Sequence, residues 1–327
     1  MRFIGRLLLV LFLLIIVGLV AVYVLEPFAP AVQISDPAPE GIRISENGLL
    51  ANYYPGKGEG QHAGIMLLGG SEGGLGAGVT RMAKSLQENG FSVLHVSYFR
   101  APGQLKRLEF VPLELFDRAL EWLKARPDVD GTRLAVMGGS KGAEAALIIA
   151  TRHPELLAAV AGMPSSVAWS GIDWNFMNYF IDPPGGSWSL GGKAIPYLPI
   201  TGEYASKLSD LYEQSLKHLP AHPDAVIPIE RGKARVLLIC GEMDTLWPSC
   251  PMARQVEERA VRFGVPQVTL LAYAQAGHAV MGLPIDRAEP RFDSLDSLGG
   301  TDEGNNAARE DGWPKIVAHL KSALASQ

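Results

Sequence analysis

The run Ala135-Val136-Met137-Gly138-Gly139-Ser140-Lys141-Gly142-Ala143-Glu144-Ala145-Ala146-Leu147-Ile148 constrains this chain more than any other stretch. A short apolar run of β character meets a Gly-x-Ser-x-Gly core and passes at once into an alanine-rich run of high helix propensity. That order predicts a strand, a tight turn and a helix, with a serine at the turn. The glycines answer crowding: a serine on so sharp a turn holds a strained backbone, and Cβ atoms at 138 and 142 would collide with neighbouring main chain. The following helix aims its first N–H groups at negative charge developing beside Ser140, which makes Ser140 the expected nucleophile. Five residues alone equally describe an ordinary strand–helix turn, so the rest of the chain must separate the two readings.

The flanking periodicity favours the first. Short edge strands are expected at Ile42 to Ile44 and Leu49 to Tyr54, and buried strands at Gly64 to Leu68, Phe91 to Val96, Leu157 to Ala161, Arg235 to Cys240 and Val268 to Tyr273. Helical spacing appears through Met82 and Leu86, through Leu113, Phe116, Leu120 and Leu123, from about Met252 to Phe263, and from about Asn306 to Leu324 with Pro314 near a kink or an early turn. Strands alternating with helices in this way imply a mostly parallel sheet covered on both faces. Residues 164–230 break the rhythm and are rich in Pro, Gly, Trp and Tyr, which suits a lid or cap insertion. The expected organisation is therefore an N-terminal anchor over 1–26, a Pro-rich tether over 27–41 and one α/β unit over 42–327.

Leu7 to Leu25 are 19 residues without a charge, preceded by Arg2 and Arg6. That length crosses a bilayer and exceeds a usual signal-peptide core. Lys and Arg are absent between Arg6 and Arg43, so the positive-inside bias puts the N-terminus in the cytoplasm and the remainder on the exoplasmic or periplasmic side. A cleaved secretory signal, with Ala29-Pro30-Ala31 as its small-x-small site, is the alternative. A net charge of −5 without a basic run argues against nucleic-acid partners. Cys240 and Cys250 lack the companions of a zinc or iron–sulfur site, and neither metal nor cofactor is expected. In an exoplasmic compartment these two cysteines are expected either to form a disulfide clamping the loop between them or to remain two separate buried thiols.

A serine is a poor nucleophile until a base takes its proton, and the base needs an acid to fix its tautomer. Asp244 follows the strand ending at Cys240, and His278 follows the strand ending near Tyr273, so acid and base both sit at strand C-termini after Ser140. The order Ser, Asp, His is that of α/β-hydrolases. Glu242 competes as the acid; Asp244 is preferred because two more residues let the loop curl toward His278. The other histidines, at 62, 95, 153, 218, 222 and 319, read as strand, helix or surface positions. Backbone donors for an oxyanion are expected from Lys141 and from Gly70 or Ser71 in the glycine run 69–74, which lacks the Gly-Lys-Ser/Thr ending and the spacing of a nucleotide loop.

With these residues in place the chain resembles the C-terminal catalytic domain of acyl-CoA thioester hydrolases and bile-acid-CoA:amino-acid N-acyltransferases. The similarity lies in Leu68-Gly69-Gly70, Val96-Ser97-Tyr98-Phe99, Gly139-Ser140-Lys141-Gly142-Ala143-Glu144, Ile227-Pro228-Ile229-Glu230, Gly241-Glu242-Met243-Asp244 with Trp247 and Ser249, Gly277-His278, and Gly299-Gly300-Thr301. The resemblance implies an α/β-hydrolase fold, a Ser140–Asp244–His278 triad and a small acyl ester or thioester substrate. In that family the acyltransferase branch uses cysteine as nucleophile, so a serine favours hydrolysis. Animal members carry a β-sandwich ahead of the catalytic domain, where this chain has the short tether. CoA thioesters are cytoplasmic, which conflicts with the expected topology unless another acyl carrier is the substrate. A dienelactone-hydrolase-like esterase and a serine-peptidase-like relative share the same elbow and stay open as alternatives; a non-catalytic binding module would be expected to break at least one triad position, and none is broken in the sequence.

Overall fold

Alternating side chains that are apolar on both faces make a sheet only if something covers each face, and the computed structural model shows what does. It describes residues 2–26, 29–203, 206–265 and 267–325. Eleven strands are present among them: β1 (Ile42–Glu46), β2 (Leu49–Tyr54), β3 (His62–Leu68), β4 (Ser92–Ser97), β5 (Val111–Pro112), β6 (Val129–Gly139), β7 (Ala158–Gly162), β8 (Trp188–Leu190), β9 (Lys193–Ala194), β10 (Arg235–Gly241) and β11 (Val268–Tyr273). The helices are α1 (Arg2–Leu25), α2 (Ala77–Glu88), α3 (Glu114–Lys124), α4 (Lys141–Arg152), α5 (Asn178–Ile181), α6 (Leu208–Leu216), α7 (Ser249–Phe263) and α8 (Asp302–Ala323).

Eight strands form one sheet in the order β1-β2-β4-β3-β6-β7-β10-β11, antiparallel at its β1-β2-β4 edge and parallel from β4 to β11. Because side chains alternate along a strand, Met66 and Leu68 of β3 join the core under α3, α4 and α7, while Ile65 and Leu67 join the core under α2 and α8. Burial on both faces is why β3, β6 and β10 read as continuous apolar runs. β6 is central, with Gly138 beside Leu68 on one side and Ala161 on the other. This register sets the turn after β6 among the C-terminal ends of parallel strands, where open α/β sheets bind ligands.

Two helix boundaries differ from the periodicity. α7 starts at Ser249, before the apolar stripe that begins at Met252. α8 starts at Asp302, capped by Thr301, whose Oγ1 accepts the Gly304 N–H at 2.9 Å, and it carries Pro314 in its interior. α7 opens on Ser249-Cys250-Pro251 and α8 on the polar run Asp302-Glu303-Gly304-Asn305, and neither opening carries a helical apolar pattern. Residues 164–230, between β7 and β10, have little regular structure beyond α5, α6, β8, β9 and short 3₁₀ turns. They are held by their own apolar cluster, which includes Trp169, Leu198 and Tyr212 packed with Trp247 and Met252, and by β8 pairing with β5.

α1 stands apart from this packing, with its apolar side chains exposed along its length. It is long and apolar enough to cross a membrane.

Candidate active site

Ser140 sits between β6 and α4 at φ 55° and ψ −122°, a left-handed backbone that a non-glycine residue adopts at a cost of about 1–3 kcal/mol. Its surroundings impose this geometry. A Cβ at Gly138 would lie 2.1 Å from the Gly142 carbonyl oxygen, and one at Gly142 would lie 2.2 Å from that of Gly69. The Ser140 N–H donates to Gly162 O at 2.8 Å, tying the turn to β7.

Two loops complete the constellation. Ser140 Oγ lies 3.0 Å from His278 Nε2, and His278 Nδ1 lies 2.9 Å from Asp244 Oδ2. Ser140 and His278 are buried. Asp244 is fixed on both oxygens: Oδ1 accepts the N–H groups of Leu246 and Trp247 at 3.0 and 3.2 Å, and Oδ2 also accepts the Ser249 hydroxyl at 2.7 Å. A carboxylate so held orients the ring that donates to it and can stabilise an imidazolium. Glu242 points elsewhere and pairs with Arg254. Cys240 at the end of β10 and Cys250 in α7 are disulfide-bonded across this acid loop, with their Cα atoms 5.1 Å apart. The histidine loop has its own support, for buried Asn305 accepts the Gly277 N–H at 2.9 Å and donates to Gly299 O at 3.0 Å.

The glycine-rich loop after β3 brings a correction. Gly70 donates its N–H to Glu72 Oε1 at 3.1 Å, so it is not available to an oxyanion in this conformation. Ser71, whose N–H has no acceptor among the described residues, lines the same cavity as Ser140. Lys141 is the first residue of α4, where a helix offers its N–H no internal acceptor. Burial pushes the Glu72 carboxyl up, and the Gly70 N–H works against that shift.

The Lys141 side chain turns away from this chemistry. Lys141 Nζ lies 2.6 Å from Glu144 Oε2, with 2% and 0% of the two side chains exposed. Glu144 Oε1 accepts the Trp169 N–H at 3.0 Å and the Trp188 indole N–H at 2.7 Å. Burial pushes the Glu144 carboxyl up and the Lys141 ammonium down, and their mutual attraction opposes both shifts. Such a pair joins α4, the helix that follows Ser140, to residues 164–230.

A cavity of about 1050 Å³ opens on Ser140, Ser71 and Lys141 and is walled by Ile172, Trp174, Tyr179, Leu211, Tyr212 and Trp247, among others. Its lining is mainly apolar and aromatic, suited to a hydrocarbon chain with a reactive polar end beside Ser140. Asn305, Glu72 and Glu144's bonds to residues 164–230 escaped the sequence reading. Asn305 acts 28 positions from its partner Gly277, a distance at which no local pattern exists.

Residues 111–326 match the family described as BAAT / acyl-CoA thioester hydrolase C terminal. The chain is 26% identical over 299 residues to acyl-coenzyme A thioesterase 5 of Mus musculus and 27% identical over 297 residues to the bile acid-CoA:amino acid N-acyltransferase of the same species. Each match covers 88% of this chain and 66% of the relative, so the chain spans just under two thirds of the length of these curated relatives. In fold it is similar to a dienelactone-hydrolase-like promiscuous phosphotriesterase from metagenomic libraries, with TM-score 0.54 and 15% identity over 87% of this chain and 98% of that one.

Proposed function

Because the chain belongs to the BAAT / acyl-CoA thioester hydrolase C-terminal family, we propose that it is a serine hydrolase cleaving acyl esters or thioesters through an acyl-enzyme on Ser140. The observation that carries this reading is the continuous chain from Ser140 Oγ to His278 Nε2 at 3.0 Å and from His278 Nδ1 to Asp244 Oδ2 at 2.9 Å, opening on an apolar cavity. His278 takes the hydroxyl proton as Ser140 Oγ attacks the acyl carbon, and Asp244 stabilises the imidazolium. The N–H groups of Lys141 and Ser71 receive the oxyanion. Collapse of the tetrahedral intermediate breaks the bond to the thiol or alcohol, which leaves with the proton from His278. Water, activated by the same imidazole, then releases the free acid and restores Ser140. A fluorophosphonate probe should label the protein and fail to label Ser140→Ala; labelling that survives the substitution would exclude Ser140 as nucleophile.

Transfer of the acyl group to an amine is a second reading, favoured by the acyltransferase among the relatives. The serine hydroxyl supports hydrolysis over it. Product analysis with glycine or taurine present separates the two, since a hydrolase yields free acid whether or not the amine is added.

In this proposal α1 anchors the protein, with Arg2 and Arg6 on the cytoplasmic side and the catalytic unit, residues 42–327, outside. The Cys240–Cys250 disulfide supports that placement, because such bonds persist in oxidising compartments. A C-terminal reporter active only outside the cytoplasm should work; activity from a cytoplasmic reporter alone would reverse the orientation. A panel of acyl-CoAs and p-nitrophenyl esters identifies the leaving group.

A further inference from the structure

The path from α1 to the body of the protein is bonded to two segments that carry lining residues of the Ser140 cavity. Tyr23, two residues before the end of α1, accepts a hydrogen bond at its carbonyl from Asn175 Nδ2 at 2.8 Å. Farther along, Arg100 donates to Pro30 O at 2.7 Å and to Glu72 O at 3.0 Å. Backbone bonds join Leu75 N–H to Gln33 O at 2.7 Å and Ser35 N–H to Leu75 O at 2.9 Å. The tether is thus stitched to the loop that carries Ser71, whose own carbonyl accepts the Trp174 indole N–H at 2.9 Å. Pro30 follows Leu25 by five residues, which at full extension reach at most about 18 Å. Any membrane that α1 crosses therefore lies within about that distance of Pro30, which Arg100 holds, whatever the tilt of the helix.

Asn175, which holds Tyr23 of α1, leads directly into the segment around α5. Tyr179, Pro183 and Pro184 line the cavity, while Phe180 and Ile181 between them project outward with 84% and 67% of their surface exposed. Large apolar side chains on an exposed turn are unfavourable in water and favourable in the bilayer interface. Asp182 next to them is paired with Arg107 at 2.8 Å, which reduces its charge toward an approaching surface. Resting on the reading of α1 as an anchor and of Ser140 as nucleophile, we propose that Phe180 and Ile181 dock the rim of the cavity, residues 174–184, onto the lipid surface. Acyl substrates dissolved in the bilayer then pass directly into the pocket without crossing water.

The test uses the full-length protein in phosphatidylcholine vesicles and the double variant Phe180→Ser/Ile181→Ser. Hydrolysis of p-nitrophenyl palmitate held in the vesicles should fall about tenfold or more, as expected for loss of two interfacial apolar anchors. Hydrolysis of water-soluble p-nitrophenyl acetate should stay within about twofold of the parent, since neither side chain lines the cavity. Equal rates on both esters in the variant and the parent would overturn the docking role, and equal losses on both would reduce it to a folding effect. A readout independent of turnover is Phe180→Trp in vesicles of brominated phosphatidylcholine, where the added fluorescence should be quenched relative to the parent. Unquenched fluorescence overturns the proposal, and if the protein then runs as a dimer in detergent the patch is a contact between copies. Extraction with alkaline carbonate reads the anchor separately: release of the parent protein from the vesicles would refute the anchor and the docking together, whereas retention without quenching refutes the docking alone.

Discussion

The serine loop and the acid loop meet at His278, yet they are held by opposite means. Around Ser140 the geometry is enforced by exclusion: α4 lies so close to β6 at Gly138, and to the end of β3 at Gly142, that neither glycine has room for a methyl group. Around Asp244 it is enforced by attachment, through Ser249, two backbone N–H groups and the Cys240–Cys250 bridge. Exclusion cannot be relaxed by degrees, because a side chain either fits or displaces a strand. Attachment can be removed one bond at a time, each at a modest cost.

Substitutions graded by severity can break or sharpen this contrast. Gly142→Val should give no cooperatively folded protein, since its Cβ would lie 2.2 Å from the Gly69 oxygen, and circular dichroism melts would show it. A folded variant with a normal melt would mean the elbow yields as readily as the acid loop. Asp244→Asn should keep its fold and lose on the order of 10⁴ in kcat through the wrong imidazole tautomer. Glu242→Gln, which only breaks the surface pair with Arg254, should stay within a few-fold, and the reverse ranking in steady-state kinetics would move the acid to Glu242. Ser249→Ala removes one of the bonds holding Asp244 and should cost roughly tenfold in kcat with KM little changed, as for a hydrogen bond to a charged group. Smallest in rate should be Cys240→Ala/Cys250→Ala. Opening the loop, whose cysteines lie 10 positions apart, should lower stability by roughly 2–3 kcal/mol in urea titrations. Turnover should drop less than that of Ser249→Ala, because the other attachments remain.

The same contrast explains what could be read from residues alone. Exclusion writes itself into sequence, since only glycine fits, and Gly138-x-Ser140-x-Gly142 with its flanking strand and helix is a local pattern. The strands that end near Asp244 and His278 are apolar runs of the usual length, so their order was legible too. Attachment is written in side chains that meet only after folding. Nothing near Gly70 in the sequence announces that Glu72 folds back onto its N–H. β5 is two residues long and has no period to detect, yet its pairing with β8 is what pins residues 164–230 beside α3. Ser249 and Asn305 sit in first turns that precede the apolar stripes of α7 and α8.

Glu144 has a consequence for how the pocket measures its contents. Swinging residues 164–230 away as a body would pull Trp169 and Trp188 off a carboxylate that has no access to water, leaving it with Lys141 alone. Losing two hydrogen bonds to a charged group costs about 3–6 kcal/mol, so an opened form would be on the order of one molecule in a hundred or rarer. Residues 164–230 are then a riveted roof over the chamber. A chamber with a fixed ceiling works as a ruler: chain length would be judged by what fits between Ser140 and the far wall.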